Sequence, residues 1–144
     1  MTTVGPPALT ALERAAWAKA VEAMRPPAPK QRRWSSPLDM AAELDPTIVR
    51  TPALETLNAA LMDLIDGSDD RLIVSFPPQE GKSTAVSRWL PEYVLSQVNP
   101  DTRIIEISYA DEIARRWGAD VKRDFETFNG DDGSVDLGVR LRAD

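Results

Sequence analysis

The stretch from Arg71 to Thr84, Arg-Leu-Ile-Val-Ser-Phe-Pro-Pro-Gln-Glu-Gly-Lys-Ser-Thr, constrains this chain more than any other. Leu72 to Ser75 suit a buried parallel strand, a tight loop follows, and a helix opens on Gly81-Lys82-Ser83. The first turn of a helix carries unpaired N–H groups and the positive end of its dipole, so this arrangement presents a site for phosphate oxygens. On that reading Gly81 lets the backbone approach the phosphate and Lys82, the candidate catalytic residue, reaches the β- and γ-phosphates. The Ser83 hydroxyl is the candidate magnesium ligand, and Pro78, Gln79, Glu80, Gly81, Lys82, Ser83 and Thr84 are the candidate cofactor-binding residues. The competing reading is a surface turn ahead of an ordinary helix. In the general spacing G-x-x-x-x-G-K-S/T the first glycine falls at position 76, where this chain has Phe76.

Pro77-Pro78-Gln79-Glu80-Gly81-Lys82-Ser83 resembles the deviant Walker A loop of the large terminase subunit of tailed bacteriophages, in the variant found in phages of actinobacteria. The resemblance runs from about Thr51 to Phe125. Its flanks are an Arg-leading apolar strand, a tryptophan-bearing helix, an Asn-Pro turn, a strand closing on Ser108-Tyr109 and an arginine-rich helix. Gln79 stands where many members have arginine. The resemblance implies an ATPase that drives DNA into the procapsid, with ATP and Mg2+ as cofactors and an α/β fold, an incomplete RecA-like parallel P-loop sheet preceded by helices. It also implies double-stranded viral DNA, the portal or procapsid and the small terminase subunit as partners. A homo-oligomer acting on the procapsid in the host cytoplasm completes that picture.

Composition bounds the alternatives. At 144 residues with 42% hydrophobic content, the chain makes one domain with a real core. No window is apolar enough for a membrane span, and Met1-Thr2-Thr3 lacks the regions of a signal peptide, so a soluble, cytosolic type of chain is expected. The absence of cysteine and histidine excludes disulfides, thiolate metal sites, cysteine nucleophiles and histidine triads. A net charge of -6 argues against coating nucleic acid by bulk attraction, although a local basic stripe could still touch phosphates.

Along the chain, Thr10-Ala11-Leu12-Glu13 reads as a capping box opening a helix to about Met24, with Leu12, Ala16, Trp17, Ala20, Val21 and Met24 on one face. The prolines at 26, 27, 29 and 37 make Arg25 to Pro37 a semi-rigid linker, in which Trp34 among basic residues could stack on nucleic acid. The domain boundary is therefore expected at 37/38, with a partial ATPase domain over 38–144. Ser36-Pro37 opens a helix to Leu44, and Thr51-Pro52 opens another that carries Leu54, Leu57, Leu61, Leu64 and Ile65 as far as Gly67. After the loop a helix to about Val98 turns Val86, Trp89, Leu90, Tyr93 and Val94 inward, and Pro91 is expected to kink it. Ile104, Ile105 and Ile107 read as a second strand. The next helix points Ile113, Trp117, Val121 and Phe125 inward and Arg115, Arg116, Lys122 and Arg123 outward, toward solvent or DNA. The tail offers an acidic turn with Asp131 and Asp132, which could hold a metal, and a short strand from Val135 to Leu141.

ATP hydrolysis in this class also needs an apolar strand ending in an aspartate, with a glutamate to activate water. No such run occurs, so the chain reads as the front half of an ATPase domain and a poor ATPase alone. Asp111 and Glu112 are the nearest stand-ins, and Asp111 reads better as a helix cap. Two alternatives stay open. One is another P-loop NTPase, kinase- or helicase-like, using Asp111 and Glu112; the other is a non-enzymatic interaction module.

Overall fold

The computed structural model describes residues 33–68, 70–131 and 135–141, together with Trp17. The apolar face expected over 10–24 lies outside the described residues except for Trp17, which is exposed.

Capping residues set the first two helices. Helix α1 (Pro37–Leu44) starts where the Ser36 hydroxyl accepts the Asp39 N–H at 3.2 Å, with Pro37 in the first turn, where a missing N–H costs nothing. It stops at Asp45, whose carboxylate accepts the Thr47 N–H at 3.0 Å and holds the chain in a turn. Helix α2 (Pro52–Ile65) repeats the device with Thr51, whose hydroxyl accepts the Leu54 N–H at 3.2 Å. Gly67, at a φ of 78° that favours glycine, lies just past its end.

Helix α3 is one helical run over 82–98, in the pieces Lys82–Thr84, Ala85–Trp89, Leu90–Tyr93 and Val94–Val98. The second and fourth pieces are widened to π geometry: the Leu90 N–H donates to the Ala85 carbonyl, and the Asn99 N–H donates to the Val94 carbonyl at 2.9 Å. Pro91, which cannot donate, sits just past the first widened stretch. The helix accommodates its proline beside a widened stretch. Helix α4 (Asp111–Thr127) completes the set.

Two apolar clusters hold these helices together. In the first, Leu38 and Ala41 of α1, Leu54, Leu57 and Leu61 of α2, and Ala85 and Trp89 of α3 are buried, with Leu72, Val74 and Phe76 packed against them. In the second, Met40, Tyr93 and Phe125 meet Trp34 and Leu137. The stretch read as a linker thus supplies a core residue. Trp34 is 5% exposed, its indole N–H donates to Glu43 at 2.6 Å, and its carbonyl accepts the Tyr93 hydroxyl at 3.0 Å. No face of it is left for a base to stack on, which corrects that reading.

The expected sheet is absent. Residues 71–77 and 102–108 form neither helix nor strand, and among the described residues the one backbone hydrogen bond to either is local, from the Thr102 N–H to the Asn99 carbonyl at 3.1 Å. Among the described residues the one bridge is isolated, Asn129 to Asp136, where a strand over Val135 to Leu141 was expected. Burial alternates along 72–76 as on an extended backbone, with Leu72, Val74 and Phe76 against the first cluster and Ile73 outside. A ladder needs a partner about 4.8 Å away as well, and side-chain packing on helices does not supply one. The described residues form an almost entirely helical domain, and the α/β, RecA-like parallel sheet is overturned.

Candidate functional site

The loop residues gather on one cleft. Gln79 and Gly81 both take left-handed backbone, at φ 66° and 77°, and the turn they make hands the chain to Lys82 at the start of α3. Pro77, Pro78, Gln79, Gly81, Lys82, Ser83 and Thr84 line a cleft of about 630 Å³ with Phe76, Arg116 and Trp117, while Glu80 is not among its walls. The Arg116 guanidinium lies 4.7 Å from the centre of the Trp117 ring, a cation–π distance.

That cleft lacks what a nucleotide cradle needs. A phosphate-binding loop works because a sheet fixes it at the end of a paired strand, and among the described residues no backbone hydrogen bond pairs 71–77. Among the described residues no group of three or more carboxylates could hold a metal ion. The fold therefore contradicts the terminase resemblance and, with it, the DNA-packaging ATPase, the hydrolase activity, and ATP and Mg2+ as cofactors. It equally contradicts the kinase- or helicase-like P-loop alternative. Asp111 is the first residue of α4, not its cap, and pairs with Arg115 at 2.9 Å on an exposed face. Glu112 is exposed beside it, and Asp131 is exposed in a turn closed on Asn129, while Asp132 lies outside the described residues.

The basic face of α4 is largely self-compensated. Arg115 pairs with Asp111, Lys122 lies 3.9 Å from Glu126, and Arg123 pairs with Asp120, each within one turn.

A buried charged cluster is the feature that sequence reasoning missed. Arg88 on α3 donates through Nε and Nη2 to both carboxylate oxygens of Asp124 on α4, at 2.6 and 2.9 Å. Glu92, one turn further along α3, is 1% exposed, and its Oε1 lies 3.5 Å from Arg88 Nε with no hydrogen bond. Burial pushes the Glu92 carboxyl up to about 10, with the Asp124 carboxylate adding to the effect and Arg88 opposing it. The Arg88 guanidinium is shifted upward by its hydrogen bonds to Asp124. A signal was present in the sequence, since Glu92 falls between the inward Trp89 and Tyr93 and lies one turn from Arg88.

No family model, curated protein or solved structure matches this chain. No described helix is long and apolar enough to cross a membrane.

Proposed function

We propose that this domain is a non-catalytic assembly module whose unpaired extended layer is covered by a second copy of the chain. The observation that carries the reading is the exposure of Ile105, Ile107 and Tyr109, at 83%, 88% and 96%, on a backbone that pairs with no other segment among the described residues. Ile73, on the other extended segment, is 96% exposed. Beside 102–107 an apolar groove of about 480 Å³ opens against Leu64, Ile65, Val86, Leu90, Pro91 and Val94.

Chemistry and energy both favour a second copy as the occupant. Unpaired N–H and C=O groups beside an apolar groove call for an extended, β-branched polypeptide, and Thr102 to Tyr109 is itself such a segment. Burying four large apolar side chains contributes roughly 6–12 kcal/mol, against an association cost of about 4–15 kcal/mol. The two are comparable, so association is concentration-dependent and not obligate. A two-fold arrangement places the same patch on both sides of the contact.

Sedimentation velocity over a concentration series tests this. The reading predicts a monomer–dimer equilibrium that Ile105→Glu with Ile107→Glu shifts to monomer. A protein that stays monomeric at every concentration, or a dimer indifferent to both substitutions, overturns it.

A further inference from the structure

The apolar groove beside 102–107 has a single ionisable group in its walls among the described residues, and that group is Glu106. The walls that α2 and α3 contribute are Leu64, Ile65, Val86, Leu90 and Val94, with Pro91 and the Ser87 hydroxyl, and none of these titrates. Exposure alternates from Ile105 to Tyr109: the odd-numbered residues are exposed, and Glu106 and Ser108 are half-buried between them. Arg103, the one cation of the same segment, is exposed and is not a wall of the groove. Among the described residues no ion pair or hydrogen bond holds the Glu106 carboxylate. An open, wet groove tolerates such a group. Once an apolar strand fills the groove the carboxylate is cut off from water, and without a cation beside it the favoured outcome is to take up a proton.

A second copy does not bring the missing cation. Two identical strands paired about a two-fold axis run antiparallel, and a residue's neighbours across the pair, direct and diagonal, have numbers of the same parity as its own. Within 102–108 Glu106 then faces Thr102, Ile104, Ser108 or its own counterpart, while Arg103 meets only odd-numbered residues. We propose that self-association through this groove is coupled to proton uptake, one proton on each Glu106 as the incoming strand covers it. The proposal rests on the second-copy reading above and adds its regulation. Two monomers with ionised Glu106 and two protons from solvent give one dimer with both carboxyls neutral. Acid therefore tightens the dimer and alkali loosens it, by up to about a hundredfold per pH unit where both protons are fully coupled.

Sedimentation velocity over a concentration series at about pH 7.5 and again at about pH 5.5 tests the coupling, in a window where a chain without histidine changes its charge little elsewhere. The wild-type dimer is expected to be at least about tenfold tighter at the lower pH. Glu106→Gln is expected to associate at the higher pH about as tightly as wild type does at the lower, and to change by no more than about twofold between the two. Glu126→Gln removes the same charge from the exposed side of α4, and it is expected to keep the wild-type response. A wild-type dimer equally tight at both pH values or tighter at the higher one, or a Glu106→Gln protein that responds to pH as wild type does, overturns the proposal and leaves the second-copy reading standing. A wild-type chain that is monomeric at both pH values overturns the two together.

Discussion

The helical core and the extended layer of this domain are built from the same kinds of apolar residue, yet they end in opposite states. In the core, Leu57, Leu61, Tyr93 and Met40 are at most 4% exposed, because helices satisfy their own backbone and need only side-chain packing. In the extended layer, Ile73, Ile105 and Ile107 are at least 83% exposed, because an extended segment cannot satisfy its backbone alone. A helix finishes its hydrogen bonding within its own sequence, whereas a strand depends on a neighbour. The difference separates the part of the molecule that stands by itself from the part that, on the function proposed above, a second copy completes.

The largest break in that comparison comes from the core. Tyr93→Ala removes a fully buried ring and its hydrogen bond to the Trp34 carbonyl, and should cost about 3–5 kcal/mol in urea unfolding. Trp89→Ala should fall in the same range.

Somewhat below these stands the charged cluster. Asp124→Ala leaves Arg88 without its bidentate partner, and a loss of about 3 kcal/mol is expected. Glu92 sharpens the point through pH. Its folded-state value is raised, so its contribution to stability is complete below the ordinary range near 4.5 and is lost as the pH climbs toward about 10. Thermal unfolding across that window should show a falling midpoint in wild type and a flatter profile in Glu92→Gln.

At the small end lie the loop and the extended layer. Lys82→Ala makes no core change and should alter stability by no more than about 0.5 kcal/mol. Ile107→Thr should leave the monomer's stability within about the same margin in dilute protein, while weakening self-association. A large loss of monomer stability from Ile107→Thr would place that residue in a core the structure does not show.

What was legible in the sequence follows the same division. The caps at Ser36 and Thr51, and the apolar spacing of Leu54, Leu57 and Leu61, mark both starts and the end of α1, while α2 ends at Ile65, just before the expected stop at Gly67, because local signals decide helix ends. Leu72 to Ser75 and Ile104 to Ile107 carry the alternation of strands, yet neither forms one. Alternation reports which way side chains point and carries no information on whether a neighbouring strand exists. Around Gly81-Lys82-Ser83 the turn and the helix start were legible, but the nucleotide function drawn from them rested on a sheet. Trp34 was hidden by its prolines and basic neighbours, and its burial involves Glu43 on the next helix and Tyr93, which is distant in sequence.

The central claim is that the backbone of residues 103–108 has no partner among the described residues and gains one from a second copy. Amide hydrogen exchange across 103–108, followed over a range of protein concentrations, measures this directly. The account predicts near-unprotected exchange in dilute protein and protection that grows with concentration, while the amides of α2 stay protected throughout. Strong protection of 103–108 at every concentration would reveal a ladder within the single chain and contradict the account.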